Sequence, residues 1–419
     1  MSAREGTVSF IRYARATQMI FTSLMIGLLI VMDVYQKLGV RRVINANGTK
    51  THLGGSIPDL RVMDSMKEAS QSFVIMMELI EKAGKVIAEV TGAEAGIVTS
   101  GSSAAMTLAA AACIMKASGL EKFEIQPVER IGLDQEWRDL IQRLPDASWT
   151  RNEFVTQKMH RNAYDHAYKV AGGKIIEVGT SEGCSQGELE AAINSKTAGI
   201  AFTARVDNTP ERAGLNVPLR KVVEIAQRHD VPVVVDAASE LPLRSNIRKY
   251  IAEGADLVIY SGGKLIGGPN DTGILCGRKD LIKLATLQSA PYRGIGRGMK
   301  VDRTQIVGLI TALRLWLEKD EEAEFKAWRA KARWIAEALR EVPKILKSEV
   351  VVQEFRNRVF AFITLDARTA ANLVFDLRRG DPSIWVGLIG SNRIEIDPSN
   401  LVDGEEKIVV SSIKKILKE

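Results

Sequence analysis

The sequence predicts an α/β protein: a mostly parallel sheet with helices on both faces, followed by a small α+β domain at the C-terminus. Three observations carry this. Short apolar runs of strand length alternate with helix-period segments between residues 154 and 260. Two of these runs, residues 231–235 and 257–260, are continuously apolar, the pattern of a strand buried on both faces. After residue 281 the alternation gives way to a long helical stretch and then a shorter mixed segment.

The bulk numbers bound the class. At 419 residues the chain can bury a large core in two or more lobes. Hydrophobic residues make up 46% and charged residues 26%, ordinary for a globular protein, so a fibrous or disordered chain is excluded. The net charge of +6 permits an anionic ligand or nucleic acid without demanding either. Cys113, Cys184 and Cys276 lie far apart with no CxxC pair, which points to a reducing, cytoplasmic setting with no disulfide framework. Four histidines are too scattered for a spaced metal motif, although His160 and His166 are neighbours, so no metal is expected.

Element by element, residues 19–32 (MIFTSLMIGLLIVM) form an apolar run after Arg4, Arg12 and Arg15. The run is shorter than the roughly 20 residues of a membrane-spanning helix. No A-x-A-like cleavage site follows it. Residues 1–31 therefore read as an extension ahead of Met32, the expected initiator, and no stable membrane association is expected. Residues 65–90 have a helical period, with a Met-rich stripe (Met66, Phe73, Met76, Met77, Leu79, Ile80) read as core packing. A strand at 93–99 runs into Ser100-Gly101-Ser102-Ser103 and an Ala-rich helix at 104–117. A strand, a small-residue turn and a helix start make an anion cradle, because free N–H groups and the positive dipole end face the ligand. A plain N-cap would read the same way. Residues 121–150, broken by Pro127, Gly132 and Pro145, read as a surface excursion with one short helix. The βα alternation then runs through strands at 174–178, 197–203, 231–235 and 257–260, with helices at 164–171, 187–194, 219–229 and 245–253. A Gly/Arg-rich loop at 291–303 precedes a long helix at 306–341. The last lobe has strands near 350–351, 360–365 and 393–396 and helices near 370–378 and 405–418. Domain boundaries follow: an arm at 32–60 over the active site, a large domain at 61–300, and a linking helix with the small domain at 301–419.

The chemistry concentrates at two strand ends. Residues 255–277, ADLVIYSGGKLIGGPNDTGILCG, deliver Lys264 between glycine pairs directly after an apolar strand. An apolar setting favours the neutral amine, the form that attacks a carbonyl. Residues 231–242, VPVVVDAASELP, deliver Asp236, 28 positions earlier. A Schiff-base lysine and an acidic partner for a pyridinium nitrogen are what pyridoxal phosphate (PLP) uses. In open α/β sheets ligands bind at the carboxyl ends of strands, where Asp236, Ser100 and Lys264 fall.

INANGTKTHLGGS (residues 44–56), TSGSSAAMTLA, QKMHRNAYDHAYKVAGGKIIEVG (residues 157–179), VVVDAASELP, SGGKLIGGPNDTG and IGRGMKVDR together resemble the family related to bacterial selenocysteine synthase, L-seryl-tRNA(Sec) selenium transferase. Its smaller members, which include D-glucosaminate-6-phosphate ammonia-lyase, are the closer resemblance. The resemblance implies a fold-type I PLP enzyme with a seven-stranded-type sheet, assembled as a homodimer or larger homo-oligomer. It implies that Lys264 carries the cofactor and moves the substrate's α proton, and that Asp236 holds the pyridine nitrogen protonated. Ser100, Gly101 and Ser102 would bind the phosphate, with Ser261 a further candidate. His160 or His166 would stack on the ring. Asn47 and His52, in an N-terminal loop that crosses the active site in the family, and Arg297 and Lys300 of the IGRGMK loop would meet a small anionic amino-acid-like substrate or the cofactor phosphate.

Three readings of function follow. The first is α-proton abstraction and β elimination on an amino acid or amino-sugar acid, releasing ammonia. The second is selenium transfer to seryl-tRNA, which would need a dedicated RNA-binding region; here a short, mostly apolar segment precedes the core. The third is a non-catalytic PLP-binding protein, against which the intact lysine and aspartate argue.

Overall fold

The computed structural model describes residues 33–116, 118–123, 135–207, 212 and 214–418. The extension at 1–31 with Met32, and Pro127 and Gly132 of the polar excursion, lie outside the described residues. In chain order the strands are β1 (Val43–Ala46), β2 (Ala95–Thr99), β3 (Glu153–Gln157), β4 (Lys174–Val178), β5 (Thr197–Thr203) and β6 (Val233–Asp236). They continue with β7 (Leu257–Ser261), β8 (Gly273–Gly277), β9 (Lys347–Gln353), β10 (Arg358–Thr364), β11 (Ser383–Ile389) and β12 (Arg393–Ile396). Two compact units divide the described chain. One holds Gly48–Ala332 with Val350–Phe360; the other holds the described residues up to Asn47, Arg333–Glu349 and those from Ala361 onward.

The larger unit is built on a seven-stranded sheet in the order β2-β8-β7-β6-β5-β3-β4. Neighbours β4, β3, β5, β6 and β7 run parallel. Strand β8 runs antiparallel to both β7 and β2, so β2 points the same way as the parallel set. Period-two alternation splits these strands between two cores, one on each face. Val233, Val235, Val258 and Tyr260 join the core that includes residues of the helices Leu219–Arg228, Asn246–Ala252 and Arg303–Glu318. Val234, Leu257, Ile259 and Leu275 join the core of Ser102–Met115 and Lys279–Gln288. Each fully buried Leu, Ile or Val on these faces is worth about 1.5–3 kcal/mol relative to exposure. The helix Ser102–Met115 is buried without a break from Ala104 to Met115. Its alanines let it lie close on the sheet, and that contact aims its N-terminus at the strand ends. The helix Leu219–Arg228 buries Leu219, Val222, Val223 and Ala226, the i, i+3, i+4, i+7 stripe that the sequence pattern called for.

Several expectations are corrected here. The helical period at 65–90 is two helices, Leu60–Ser70 and Met76–Thr91. Arg303 ends the first by donating to the carbonyls of Ala69 and Ser70 from Nε (3.1 Å) and Nη2 (3.0 Å). Its guanidinium also lies 5.5 Å from the Phe73 ring. Phe73, read as part of a core stripe, is therefore in the break and 96% exposed. The long helix at 306–341 is likewise two, Arg303–Glu318 and Glu321–Leu339, because the Asp320 carboxylate accepts from the N–H groups of Glu322 and Ala323 and caps a new start. Strand β8 went unanticipated: it is five residues long and begins inside what reads as a glycine-rich turn.

The smaller unit contributes to a five-stranded sheet in the order β1-β11-β12-β10-β9. Strand β1 pairs with β11 in parallel, and β12 runs antiparallel to β10 and β11. Neither β1 nor β11 was expected. The helix Ala367–Arg379 is capped by Asp366, whose carboxylate accepts from Thr369 N–H at 3.0 Å, and buries Ala370, Leu373, Val374 and Leu377. Among the described residues no helix is long and apolar enough to cross a membrane, and no cluster of three metal-ligating side chains occurs.

Candidate active site

Five strands of the large sheet end at one edge, and each delivers a polar group there. After β2 comes Ser100-Gly101, and Gly101, at φ +88°, is the N-cap of the helix Ser102–Met115. A side chain is disfavoured at such a φ. The cap makes no side-chain hydrogen bond, which leaves the first backbone N–H groups of that helix turned to the edge. Strand β7 ends in Ser261 and opens into the turn holding Lys264; β6 ends in Asp236; β5 ends in Thr203. His160 follows β3 in a single turn and is 1% exposed.

The lysine loop is knitted to its surroundings by main-chain bonds. Gly262 N–H donates to Thr272 O (2.9 Å), Gly268 N–H to Gly262 O (2.9 Å), and Gly267 N–H to Lys264 O (2.9 Å). A β-carbon on Gly263 would lie 2.4–2.7 Å from backbone atoms of Asn270, so only glycine fits there. The arm from Lys50 to Ser56 closes over the loop: Ser56 N–H donates to Gly263 O (3.1 Å) and Ser56 Oγ to Lys264 O (2.7 Å). Lys264 is thus presented from a rigid support rather than a floppy turn.

The electrostatics of Lys264 and Asp236 oppose each other. Burial pushes the Lys264 amine below its ordinary 10.5; Asp236 resists this, and the positive charges of Arg205, Arg358 and Lys50 reinforce it. Burial pushes the Asp236 carboxyl above its ordinary 3.8, against the N–H of Ala238 (3.0 Å) and the charge of Lys264, with Asp165 adding to the rise. Both side chains keep some accessible surface, yet protein crowds each charged group closely enough that desolvation is the largest influence on both. Among the described residues Asp236 forms no ion pair.

These groups fit PLP. A desolvated carboxylate that makes no contact ion pair among the described residues suits a ring nitrogen that must carry a proton. An amine held toward its neutral form suits an aldehyde. The turn at Ser100–Ser102 suits a phosphate, and the room for it depends on Gly273. A β-carbon there would sit 2.5 Å from Gly101 C and 2.7 Å from Ser102 N. Gly273→Ala should therefore displace the turn and weaken PLP binding about ten- to a hundredfold, the equivalent of one charge-assisted hydrogen bond. Titration of apo-protein with PLP, followed by absorbance, measures this.

The remaining sequence-derived candidates fall as follows. Ser100 Oγ donates to Met299 O (2.9 Å), which ties the turn to the IGRGMK loop. Ser261 pairs with Gly273 across β7 and β8. His160 is buried at the sheet edge, with its ring 4.5 Å from Phe202 in an edge-on contact, whereas His166 is exposed at the start of the short helix His166–Val170. Burial separates two histidines that the sequence leaves equal. His52 lies exposed on the arm, and Arg297 and Lys300 are exposed on the loop that holds Ser100. Asn47 belongs to the smaller unit, where it bridges Asp397. Lys50, Arg205, Arg358 and Thr203 were missed. Thr203 was open to the same strand-end rule that found Asp236; Arg358 follows Lys264 by 94 positions, and no local pattern marks it.

The strand-end lysine, strand-end carboxylate and helix-start anion turn define a fold-type I PLP enzyme. Comparison with known proteins agrees. The family model described as L-seryl-tRNA selenium transferase matches residues 165–353. The 5'-C-glycyluridine monooxygenase-decarboxylase of Streptomyces sp is 33% identical over 387 residues, covering 90% of this chain and 90% of that protein. D-glucosaminate-6-phosphate ammonia lyase of Salmonella typhimurium is 30% identical over 394 residues, covering 92% and 98%. A solved D-glucosaminate-6-phosphate ammonia-lyase structure superposes with a TM-score of 0.77 at 28% identity, over 93% of this chain and 99% of that one. Serine palmitoyltransferase of Sphingomonas wittichii, at 13% identity and a TM-score of 0.55 over 90% and 87%, shares the fold. The chain belongs to the selenocysteine synthase-related family of PLP-dependent enzymes.

Proposed function

We propose that this enzyme is a deaminating α,β-eliminase that acts on a small anionic 2-amino acid or amino-sugar acid. The observation that carries the reading is that three positive charges, Lys50, Arg205 and Arg358, act on the buried Lys264 amine against one opposing carboxylate, Asp236. When bound, PLP supplies an electron sink that makes the substrate's Cα–H acidic. Asp236 would hold the ring nitrogen, Ser100, Gly101, Ser102 and Ser261 the phosphate, and His160 a ring face. Lys264, kept toward its neutral form by burial and by the three cations, takes the α proton. The same cations draw and orient the substrate's carboxylate and any second anionic group. Arg297 and Lys300, both exposed, would serve a second copy of the chain in a homo-oligomer. The net reaction takes a 2-amino acid bearing a β leaving group and one water to a 2-keto acid, ammonia and the protonated leaving group: the α proton and the β substituent depart, and water hydrolyses the enamine that remains.

A second reading rests on the 33% identity with a relative named a monooxygenase-decarboxylase. There the α-carboxylate would leave as carbon dioxide and dioxygen would be consumed. A panel of phosphorylated and unphosphorylated 2-amino sugar acids, a glycyl-bearing uridine and seryl-tRNA, assayed for ammonia, carbon dioxide and oxygen uptake, separates these. Ammonia with a keto acid and no oxygen uptake supports the eliminase; oxygen-dependent carbon dioxide release, or acceptance of seryl-tRNA alone, overturns it. With the accepted substrate, Arg358→Ala should raise KM about tenfold through the loss of one charged contact.

A further inference from the structure

The segment QKMHRNAYDH carries more polar chemistry than a cofactor-facing histidine needs. Asp165 is only 8% exposed although it is a carboxylate. It accepts from Arg161 Nε and from the backbone N–H of Asn162 (3.2 Å). The other arm of the Arg161 guanidinium donates to Glu177 Oε2 at 2.7 Å, on β4 at the sheet's outer side. Asn162 reaches the opposite way. Its Nδ2 lies 3.2 Å from His160 O and 3.3 Å from Thr203 Oγ1, and Thr203 Oγ1 itself donates to His160 O at 3.0 Å. The circuit closes on the imidazole, where Thr203 N–H donates to His160 Nδ1 at 3.3 Å. A ring nitrogen that accepts carries no proton, so the neutral ring holds its proton on Nε2. Thr203 is the register partner of Asp236 across β5 and β6. A chain of bonds thus runs from Glu177 to the strand end beside Asp236.

We infer that Arg161, Asn162 and Asp165 are positioning residues for the reaction: an ion-paired bracket that holds the His160 ring in one orientation and one tautomer, at a fixed place beside the end of β6. The bracket acts through His160 and touches no reacting atom. An ion pair whose arginine is partly exposed adds little net stability, whereas removing that arginine leaves the charge of the buried Asp165 carboxylate uncompensated. The arrangement therefore reads as a device for geometry. Arg161 also balances the Asp165 charge, which Asp236 feels. This inference rests on the reading of Lys264 and Asp236 as the PLP site.

The test reads the imidazole directly in apo-protein labelled with 15N-histidine, a tractable spectrum because the chain has four histidines. Wild type should show one ring with a proton on Nε2, a bare Nδ1 and slow exchange. Arg161→Gln and Asn162→Ser should each turn that signal into a tautomer mixture, weaken PLP binding about tenfold and lower kcat with KM little changed. Arg161→Lys should restore only part, since an ammonium cannot span Asp165 and Glu177 as a fork does. Folded variants that keep the wild-type His160 signal and PLP affinity, and lose only thermal stability, overturn the inference. If Arg161→Gln does not fold, Asn162→Ser decides. If wild type takes up no PLP, the PLP-site reading fails, and the apo spectrum still decides whether the bracket holds the ring.

Discussion

Lys264→Ala should abolish turnover and eliminate the borohydride-stable pyridoxyl adduct. The lysine sits at a strand end in a loop sealed by main-chain bonds, and the arm from Lys50 to Ser56 is bonded to that loop through Gly263 O and Lys264 O. Loss of a positioned base alone costs about 10²–10⁴ in rate, and here the covalent anchor goes with it. The pH dependence has a definite sign. The Lys264 amine is lowered from 10.5, first by burial and then by the like charges of Arg205, Arg358 and Lys50. Adduct formation should therefore rise with pH with a midpoint below that of an ordinary lysine. Arg358→Ala or Lys50→Ala should move the midpoint up by removing a like charge; Asp236→Asn should move it down by removing the opposing carboxylate. Because the folded value is depressed, the unfolded chain binds more protons below 10.5, and this lysine's burial costs stability at neutral pH that is recovered as pH rises.

Asp236→Asn should lower turnover about 10²–10³-fold, comparable to the loss of one preorganised electrostatic partner, while leaving the adduct on Lys264 in place. An amide of the same shape keeps the packing but cannot hold a proton on the ring nitrogen. The same substitution should stabilise the apo-protein at neutral pH. Burial raises the Asp236 carboxyl above 3.8, so its contribution to stability is full below that value and is lost as pH rises through the folded value. Above that window the wild-type apo-protein carries a desolvated carboxylate that no ion pair among the described residues offsets. Melting curves of the two apo-proteins between pH 4 and pH 8, an interval chosen around the ordinary carboxyl range, should diverge with the variant ahead at the upper end. PLP should reverse the order, since a protonated ring nitrogen would bring a positive charge into direct contact with this carboxylate.

How much of this the sequence made legible follows from which signals are local. VVVD and LVIYS are continuous apolar runs, so the strands and their ends could be read directly, and with them Asp236 and Lys264. The SGSS turn was legible because a strand precedes it and an alanine helix follows. Strand β8 hid behind Gly267, Gly268, Pro269 and Gly273, residues that signal a turn whether or not a strand comes next. The break at residues 71–75 was invisible because the residue that ends the first helix is Arg303, more than two hundred positions away in the chain. The cations around Lys264 come from three elements distant in sequence, and nothing local distinguishes Arg205 or Arg358 from a solvated arginine. His160 and His166 are equivalent in pattern; burial in the fold tells them apart.

The central claim is that Lys264 carries PLP at a site completed by Asp236 and the Ser100–Ser102 turn. The measurement that tests it most directly is borohydride reduction of PLP-loaded protein followed by peptide mass mapping. The account predicts one pyridoxyl-modified peptide, spanning Lys264, that disappears in Lys264→Ala and weakens in Gly273→Ala. A protein that takes up no PLP, or a modification that falls on a different lysine, would contradict it.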